Sequence, residues 1–317
     1  MTHSSGQCVA RALVIGANGF IGSHLVDALA SAGHAVTAFD RFSSQKPTFR
    51  SEDVTLVRGE FLSRSDLEEV VAGQEIVFHF LSTTSPATAE SDPTLDIRTN
   101  IAQTVELLET CVAAGVDHFY FASTGGAIYG PQGKERYSED DRALPISPYG
   151  IGKLAIEHYL SYFQTRHGLQ STILRISNPY GTRQHPNRRQ GLIPIALRQI
   201  SMGQPVLQYG DGTMIRDYVF VEDLVRMILP MVETPTRHRL YNLGSGEGQT
   251  VSEILESLRR VTGVDFDVDV RPKPSTFVDK VVLDTSRLTN EFGHRQLTRL
   301  DAGVDATWRE ILEGAHA

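Results

Sequence analysis

The stretch Ala12-Leu-Val-Ile-Gly-Ala-Asn-Gly-Phe-Ile-Gly22, near the start of a 317-residue sequence, decides the predicted fold. Its apolar start predicts a strand, and the pattern that follows the glycines predicts a helix. Glycines at 16, 19 and 22 permit a tight turn, close approach of the backbone to a pyrophosphate, and close packing of the helix on the sheet. Free N–H groups at the start of the helix favour phosphate. The turn therefore predicts a dinucleotide site made by Gly16, Asn18, Gly19, Phe20, Ile21 and Gly22.

Asp40 ends the next predicted strand, where a carboxylate can accept hydrogen bonds from the adenosine ribose. A negative charge at this point repels a 2′-phosphate, so the sequence favours NAD over NADP. The neighbouring Arg41 is a residue type that can hold a 2′-phosphate, which leaves NADP open. Glu60 and Phe61 follow the third predicted strand, where they could meet the edge of the adenine.

Strands and helices alternate through the first half of the sequence. Apolar runs predict strands at 12–15, 36–39, 54–57, 76–80, 118–122 and 171–176, and helical spacing predicts helices at 21–32, 65–72, 101–114 and 149–162. This alternation is typical of βαβ units. The sequence therefore predicts an α/β fold with a Rossmann-type, doubly wound parallel sheet.

The sequence changes character after Asn178, where Pro, Gly, Arg and Asn become frequent. The pattern predicts a loop at 178–191, hairpin-like strands at 204–217 and a helix at 251–261. We expect an NAD-binding domain over 1–177, with segments at about 214–250 returning to it. A smaller, interleaved substrate-binding domain is expected mainly over 178–317.

Composition limits the kind of protein that the sequence can encode. Lys and Arg number 30 against 38 Asp and Glu, and the formal net charge of −8 argues against a nucleic-acid or anionic-membrane partner. Two cysteines, Cys8 and Cys111, are too few for a disulfide framework. No apolar run is long enough to span a bilayer, and the histidines show no metal-binding pattern. We expect a soluble, cytoplasmic protein without a metal.

Tyr149 and Lys153 lie one helical turn apart, so their side chains share one face of the predicted helix. A cation beside a phenol favours the phenolate and lowers the pKa of the tyrosine, which makes it a usable base near neutral pH. Such pairs are common on helices, but the glycine turn upstream favours a catalytic role for this one.

Several motifs together resemble the extended short-chain dehydrogenases/reductases, in their NAD-dependent, UDP-glucose 4-epimerase-like nucleotide-sugar epimerase branch. These motifs are Gly16-Ala-Asn-Gly-Phe-Ile-Gly22, His79-Phe-Leu-Ser82, Asn100, Ser123-Thr-Gly-Gly-Ala-Ile-Tyr-Gly130, Ser147-Pro-Tyr-Gly-Ile-Gly-Lys153, Leu174-Arg-Ile-Ser-Asn-Pro-Tyr-Gly181, Gly191-Leu-Ile-Pro194 and Arg216-Asp-Tyr218. The resemblance covers nearly the whole chain. It implies bound NAD, with Phe80, Leu81, Ser82 and Asn100 as further cofactor-binding residues.

The resemblance also implies separate roles for Tyr149, Lys153 and the nicotinamide at the reacting sugar. Tyr149 would take the proton of a sugar hydroxyl as hydride passes to the nicotinamide, and Lys153 would hold the nicotinamide ribose. The 4-keto sugar would turn over in the pocket and receive the hydride on its other face. Because net redox is zero, NAD would stay bound.

One departure from the family pattern concerns the hydroxyl that would assist Tyr149. The usual catalytic Ser or Thr position is Gly125, so Thr124 or Ser123 is expected to replace it. Related dehydratases and decarboxylases carry acidic residues where this chain has Gly126 and Ala127. Without an acid to protonate a leaving group, β-elimination lacks its general acid, which disfavours 4,6-dehydration.

The substrate end follows the sixth strand, at the sheet edge where such folds bind ligands. The resemblance implies contacts to the nucleotide sugar from Thr83, Thr124, Gly125, Asn178, Leu192, Ile193, Gln208, Arg216 and Arg271. Arg216 would clamp the diphosphate, and residues 206–209 would lie along the base. A second departure is Pro274 and Phe277 at the family's usual Arg and Asp positions, which predicts a rearranged diphosphate site.

The resulting hypothesis is an epimerase that inverts C4 of a UDP-hexose of the glucose, N-acetylglucosamine or glucuronate type. The alternative is a 4-ketoreductase of a deoxysugar pathway, which shares Tyr149 and Lys153 but releases its cofactor at each turnover. A catalytically silent regulator is disfavoured because both residues are intact. The resemblance implies a homodimer in which helices at 96–114 and 149–167 pair across a two-fold axis.

Overall fold

The computed structural model describes residues 9–43, 46–184 and 191–315. At its centre lies a seven-stranded sheet in which every neighbouring pair of strands is parallel. Its strands are β1 (Arg11–Ile15), β2 (Ala35–Asp40), β3 (Val54–Arg58), β4 (Ile76–His79), β5 (His118–Thr124), β6 (Gln170–Ile176) and β10 (Leu240–Leu243). The order across the sheet is β3-β2-β1-β4-β5-β6-β10. The predicted Rossmann-type, doubly wound fold is confirmed.

Helices cover both faces of this sheet because each buries one apolar side on it. On one face lie α1 (Phe20–Ser31), α9 (Val221–Glu233) and α11 (Ser286–Phe292). On the other face lie α2 (Arg64–Val71), α5 (Gln103–Ala114) and α7 (Pro148–His167). The helix predicted at 101–114 starts differently, since a π-helical stretch, Ile97–Ala102, precedes α5. No helix in the described ranges is long and apolar enough to cross a membrane.

Further helices and strands of the described residues lie outside the central sheet and its flanking helices. The helices among them are α3 (Pro86–Ser91), α4 (Pro93–Asp96), α6 (Gly125–Ile128), α8 (Leu192–Ser201), α10 (Val251–Thr262) and α12 (Leu300–Ala315). The strands are β7 (Asn178–Tyr180), β8 (Val206–Tyr209), β9 (Ile215–Phe220), β11 (Gly248–Thr250), β12 (Val268–Arg271) and β13 (Lys280–Val281). Helices α8, α10 and α12 enclose a separate apolar core.

The hairpin predicted at 204–217 is wrong. Strand β8 pairs in parallel with β12, whereas β9 lies in a different sheet with β7, β11 and β13. The fully buried Asp217 on β9 accepts hydrogen bonds from the backbone N–H groups of Ser245, Gly246 and Leu283. These bonds hold β9 beside segments that lie far away in the sequence.

The loop predicted at 178–191 is corrected in part. Its first residues form β7, which pairs in parallel with the end of β9. Residues 185–190 lie outside the described part of the chain. Strand β7 carries Asn178 directly beyond the end of β6, and so places it at the carboxyl edge of the central sheet.

Candidate active site

The glycine turn after β1 brings the start of α1 close to the end of that strand. Gly16 has φ +88°, and its N–H donates to the Phe39 carbonyl at 3.0 Å. A Cβ on Gly22 would lie 2.1 Å from the Gly16 oxygen, so only glycine allows the helix this close. Helix α1 begins after Gly19 without a side-chain cap. Its first N–H groups are therefore donors that suit a pyrophosphate.

Asp40 lies at the end of β2, beside this turn. Its carboxylate accepts hydrogen bonds from the backbone N–H of Asn18 at 3.1 Å and of Arg41 at 2.7 Å. Asn18 in turn accepts a hydrogen bond from the Thr48 N–H at 2.8 Å. The structure therefore brings the predicted acid and the predicted turn together, and Asp40 helps to shape that turn.

The third predicted part of the cofactor site consists of Glu60 and Phe61, and these two residues differ in burial. The Phe61 ring is buried and stacks on His79 at 5.1 Å between ring centroids, so it is a core side chain. Glu60 is exposed, and its N–H donates to Asp66 at 2.8 Å. The two predicted residues therefore have different surroundings, and of the two only Glu60 is exposed.

The segment that follows β4 passes next to the glycine turn. The Phe80 N–H donates to the Ile15 carbonyl at 3.0 Å, and a Cβ on Gly16 would lie 2.9 Å from the nitrogen of Leu81. Ser82 Oγ donates to the Thr84 carbonyl at 2.8 Å. The predicted Phe80–Ser82 segment and the glycine turn therefore form one continuous surface.

Asn100 fixes the next residues of this segment. Its Oδ1 accepts a hydrogen bond from the Thr83 N–H at 2.9 Å, and its Nδ2 donates to Thr84 Oγ1 at 2.9 Å. Asn100 belongs to the π-helical stretch before α5. The buried amide thus ties that stretch to the loop after β4.

Tyr149 and Lys153 lie in the first turns of α7, which begins at Pro148 after the cap residue Ser147. Lys153 Nζ donates to the Ala122 carbonyl on β5 at 2.8 Å. The same nitrogen lies 4.7 Å from the centroid of the Phe121 ring and 5.8 Å from that of Tyr149. The lysine is therefore fixed between the helix and the end of β5, with the tyrosine ring beside it.

The predicted lowering of the Tyr149 pKa by Lys153 does not set the net direction of the shift in this structure. Burial raises the pKa of Tyr149 to about 12, and the negative charge of Asp96 adds to this effect. Burial also lowers the pKa of Lys153 to about 8, against the opposing charges of Asp96 and Glu157. Removing both groups from water outweighs the attraction that the sequence argument considered.

The two candidate hydroxyls at the end of β5 differ in their partners. Ser123 Oγ donates to Glu157 Oε1 at 2.5 Å, and Glu157 forms a buried ion pair with Arg175 at 2.8 Å. Thr124 is buried at the last position of β5, and its hydroxyl makes no hydrogen bond to another described residue. Of the two, Thr124 therefore has the hydroxyl that remains available for a ligand.

The packing around Gly125 explains why the chain has no Ser or Thr at the usual hydroxyl position. A Cβ at this residue would lie 2.5 Å from Cδ1 of Leu283 and 3.1 Å from the Arg175 carbonyl. The Leu283 side chain occupies the space that a Ser or Thr needs. A Cβ on Gly126 would lie 3.5 Å from the Asn178 amide, so Asn178 faces this short helix.

The hydrogen bonds that Arg216, on β9, donates to described residues all go to backbone carbonyls. Its guanidinium bonds to the oxygens of Ile215 at 2.8 Å, Val278 at 2.5 Å and Asp279 at 3.3 Å. It forms no ion pair with a carboxylate of the described residues, and burial lowers the pKa of its guanidinium. An arginine held in this way is suited to an anionic ligand.

The other predicted substrate residues differ in whether their polar groups can face a ligand. Leu192 and Ile193 start α8 after Gly191 with no side-chain cap, so their N–H groups can face an anion. Gln208 is buried, and its Nε2 donates to the Gly210 carbonyl at 2.9 Å. Arg271, in contrast, is exposed and pairs with Asp269 on its own strand at 2.8 Å, so its charge is already engaged.

The loop after β12 contributes residues that the sequence did not assign. Phe277 is 38% exposed and packs edge-on against Tyr209, with 5.8 Å between ring centroids. Lys273 pairs with Asp279, whose carbonyl Arg216 also contacts. No sequence motif marks this arrangement, because it depends on how the loop folds back over β8.

Comparison with known proteins identifies the family of this chain. The model of the NAD-dependent epimerase/dehydratase family matches residues 12–244, and the chain belongs to this family. It is 30% identical to the UDP-glucose 4-epimerase of Mycolicibacterium smegmatis over 304 residues, which cover 94% of this chain and 97% of that protein. It is equally 30% identical to the dTDP-4-dehydro-6-deoxyglucose reductase of Escherichia coli, with 94% and 96% covered.

A solved structure shows the same similarity in three dimensions. The UDP-glucose 4-epimerase of Thermotoga maritima, solved with UDP-glucose, superposes with a TM-score of 0.90 at 34% identity, covering 96% of this chain and 99% of that one. The predicted membership of the nucleotide-sugar epimerase branch is therefore confirmed, and so is NAD as the family's cofactor. The chain is an enzyme of this NAD-dependent family.

Proposed function

We propose that the protein is an NAD-dependent epimerase that inverts C4 of a UDP-hexose, of the glucose, N-acetylglucosamine or glucuronate type, through a transient 4-keto sugar. The observation that carries the proposal is the placement of Tyr149 and Lys153 against the end of β5, at the same sheet edge as the glycine turn. The closely similar fold of an epimerase solved with UDP-glucose supports it.

The glycine turn fits a dinucleotide, because Gly16 and Gly22 leave no room for a Cβ and the start of α1 is uncapped. We assign Gly16, Asn18, Gly19, Asp40 and the Phe80–Ser82 segment to NAD, and residues 1–177 mainly to its binding. Bound NAD would supply the acceptor for the C4 hydride and its donor in the return step, and the positive charge of its oxidised ring would favour a phenolate.

Tyr149 and Lys153 move and stabilise the proton at the sugar O4. A pKa of about 8 leaves the Lys153 ammonium mostly protonated at neutral pH. Tyr149 takes the O4 proton in the first half-reaction. The phenol formed in this way returns the proton to the keto oxygen in the second half-reaction. Thr124, whose hydroxyl remains available, donates the assisting hydrogen bond.

The nucleotide end of the substrate is assigned to residues 178–317. Arg216 and the uncapped start of α8 provide donors for a diphosphate. The exposed Phe277 ring packs on Tyr209, and the two rings offer apolar surface to the base.

Dehydration and 4-keto reduction are the two other reactions of the family that have to be distinguished from epimerisation. Gly126 and Ala127 place no acid beside Asn178, so elimination from C6 lacks a proton donor. A 4-ketoreductase is the second candidate, because the E. coli reductase is as similar in sequence as the epimerase is. An epimerase keeps its NAD through turnover, and a reductase exchanges it.

The deciding experiment incubates the purified, dialysed protein with a panel of UDP-sugars without added cofactor and follows C4 epimers by NMR. We expect one sugar to reach an epimer equilibrium, and bound NAD to survive dialysis. Conversion that requires stoichiometric NADH would establish the reductase instead. A 6-deoxy product would establish the dehydratase.

The proposed enzyme is a cytoplasmic homodimer. The free thiol of Cys111 is buried, as suits a protein of a reducing compartment. Exposed apolar side chains occur on α7 and on the π-helical stretch before α5, namely Ile97, Ile151, Tyr159 and Tyr162. A symmetric dimer would cover them.

A further inference from the structure

The carboxylate of Asp96 lies against the turn of α7 that carries Tyr149 and Lys153. Asp96 ends α4 and is 3% exposed. A Cβ on Gly152 would lie only 2.2 Å from its Oδ2. The carboxylate therefore touches the helix backbone at a residue that lies between the two site residues in sequence.

Asp96 is held in this position by uncharged groups. Its Oδ1 accepts hydrogen bonds from Asn100 Nδ2, at 2.8 Å, and from Thr84 Oγ1. Both hydrogen bonds that it accepts from described residues go to Oδ1, and no Lys or Arg of the described ranges forms an ion pair with it. A buried carboxylate without an ion-pair partner acts strongly on nearby ionisable groups, because little water screens it.

We propose that Asp96 is a positioning residue that acts through Tyr149 and Lys153, because its carboxylate, fixed against Gly152, supplies a negative charge that, in addition to burial, shifts the pH range of proton transfer at O4. The proposal rests on the proposed function, in which Tyr149 exchanges the O4 proton. The charge of Asp96 raises the pKa of Tyr149 and also that of Lys153.

The other ionisable groups around α7 act differently. Those on α7 and on the elements packed against it are Glu90, Asp92, Arg98, Glu106, Glu109, Cys111, His118, Tyr120, Glu157, His158, Tyr159, Tyr162, Arg166, His167 and Arg175, with His79 on β4 nearby. Of the two site residues, Glu157 acts only on Lys153, and it is paired with Arg175. Burial lowers the pKa of His79 to about 3, which keeps it neutral. Among these groups, Asp96 is the one whose charge acts on both members of the pair.

The test compares pH profiles of kcat/KM for Asp96→Asn and for the wild type. Removing the charge lowers the pKa of the base and of the lysine together, so both limbs of the profile should move to lower pH by about one unit. Thr84→Val is the matched control. It removes one hydrogen bond to Asp96 but keeps the charge, so its two limbs should stay at their wild-type positions.

A second variant and a second readout keep the inference testable. Asp96→Ser also removes the charge, and it replaces Asp96→Asn if that variant does not fold. The pH dependence of Lys153 acetylation, followed by mass spectrometry, should show a lower midpoint in the neutral variants whatever the turnover. Lower activity with unmoved limbs and an unmoved midpoint would show a merely structural role and overturn the proposal. A wild type that epimerises no sugar would refute the proposed function instead, and the acetylation midpoint would still decide the role of Asp96.

Discussion

The proposed chemistry depends most directly on the phenol group of Tyr149. Tyr149→Phe keeps the ring that packs beside Lys153 but removes the group that carries the proton. Turnover should fall by at least about a hundredfold, the usual contribution of a general base, while NAD stays bound. Steady-state assays and the absorbance of bound cofactor measure the two effects.

A control for this variant is present on the same helix. Tyr159 is 41% exposed, and its hydroxyl makes no hydrogen bond to another described residue. Tyr159→Phe should therefore keep wild-type turnover. Equal rates in Tyr149→Phe and Tyr159→Phe would exclude Tyr149 as the base.

Gly125 gives a prediction about stability at the residue scale. Gly125→Ser restores the hydroxyl position of the family but forces a Cβ against Leu283, 2.5 Å away. We expect a loss of about 1–3 kcal/mol in the free energy of unfolding, the usual cost of overpacking, and no gain in turnover. Thermal melting checks the first effect. The double variant with Leu283→Ala should recover part of the stability lost through the clash, and no recovery would mean that Leu283 is not the obstacle.

At the element scale, the end of β2 and the turn before α1 act together through Asp40. Asp40→Asn keeps an oxygen that can accept the Asn18 N–H bond but removes the negative charge. The preference for NAD over NADP should fall by roughly tenfold, in line with the energy of a hydrogen bond to a charged group. Fluorescence titration with both reduced cofactors measures the ratio. An unchanged ratio would show that Asp40 only shapes the turn.

The sequence predicts elements well where a local pattern determines them. Strand β1, helix α1 and the face shared by Tyr149 and Lys153 follow from periodicity and glycine spacing within a few residues. The partners of β8 and β9 do not follow, because Asp217 binds backbone groups about 30 residues away or more. Asp96 was missed for the same reason, since only folding brings it against Gly152.

The direction of the Tyr149 pKa shift shows a second limit of prediction from the sequence. Spacing places a cation near the phenol, but it contains no information on how much water remains around either group. Burial is a property of the packed site, and there it dominates both pKa values.

At the scale of the whole molecule, the exposed apolar side chains predict the assembly. Tyr162 is 54% exposed on α7, and Tyr162→Arg places a charge on the proposed dimer face. We expect light scattering to give twice the mass of the chain for the wild type and a shift toward monomer for this variant. Val270→Arg, equally exposed but on β12, is the control and should stay dimeric. A monomeric wild type at micromolar concentration would contradict the dimer.

The position of β10 has a consequence for synthesis on the ribosome. This strand, Leu240–Leu243, pairs with β6, which precedes it by more than 60 residues. Until β10 has left the exit tunnel, the nascent chain exposes the hydrogen-bonding edge of β6 and the apolar surface that α9 later covers. Unpaired edges of this kind invite aggregation. The first 177 residues are therefore a poor candidate for separate expression, and the nascent protein is a natural client for a chaperone during this interval.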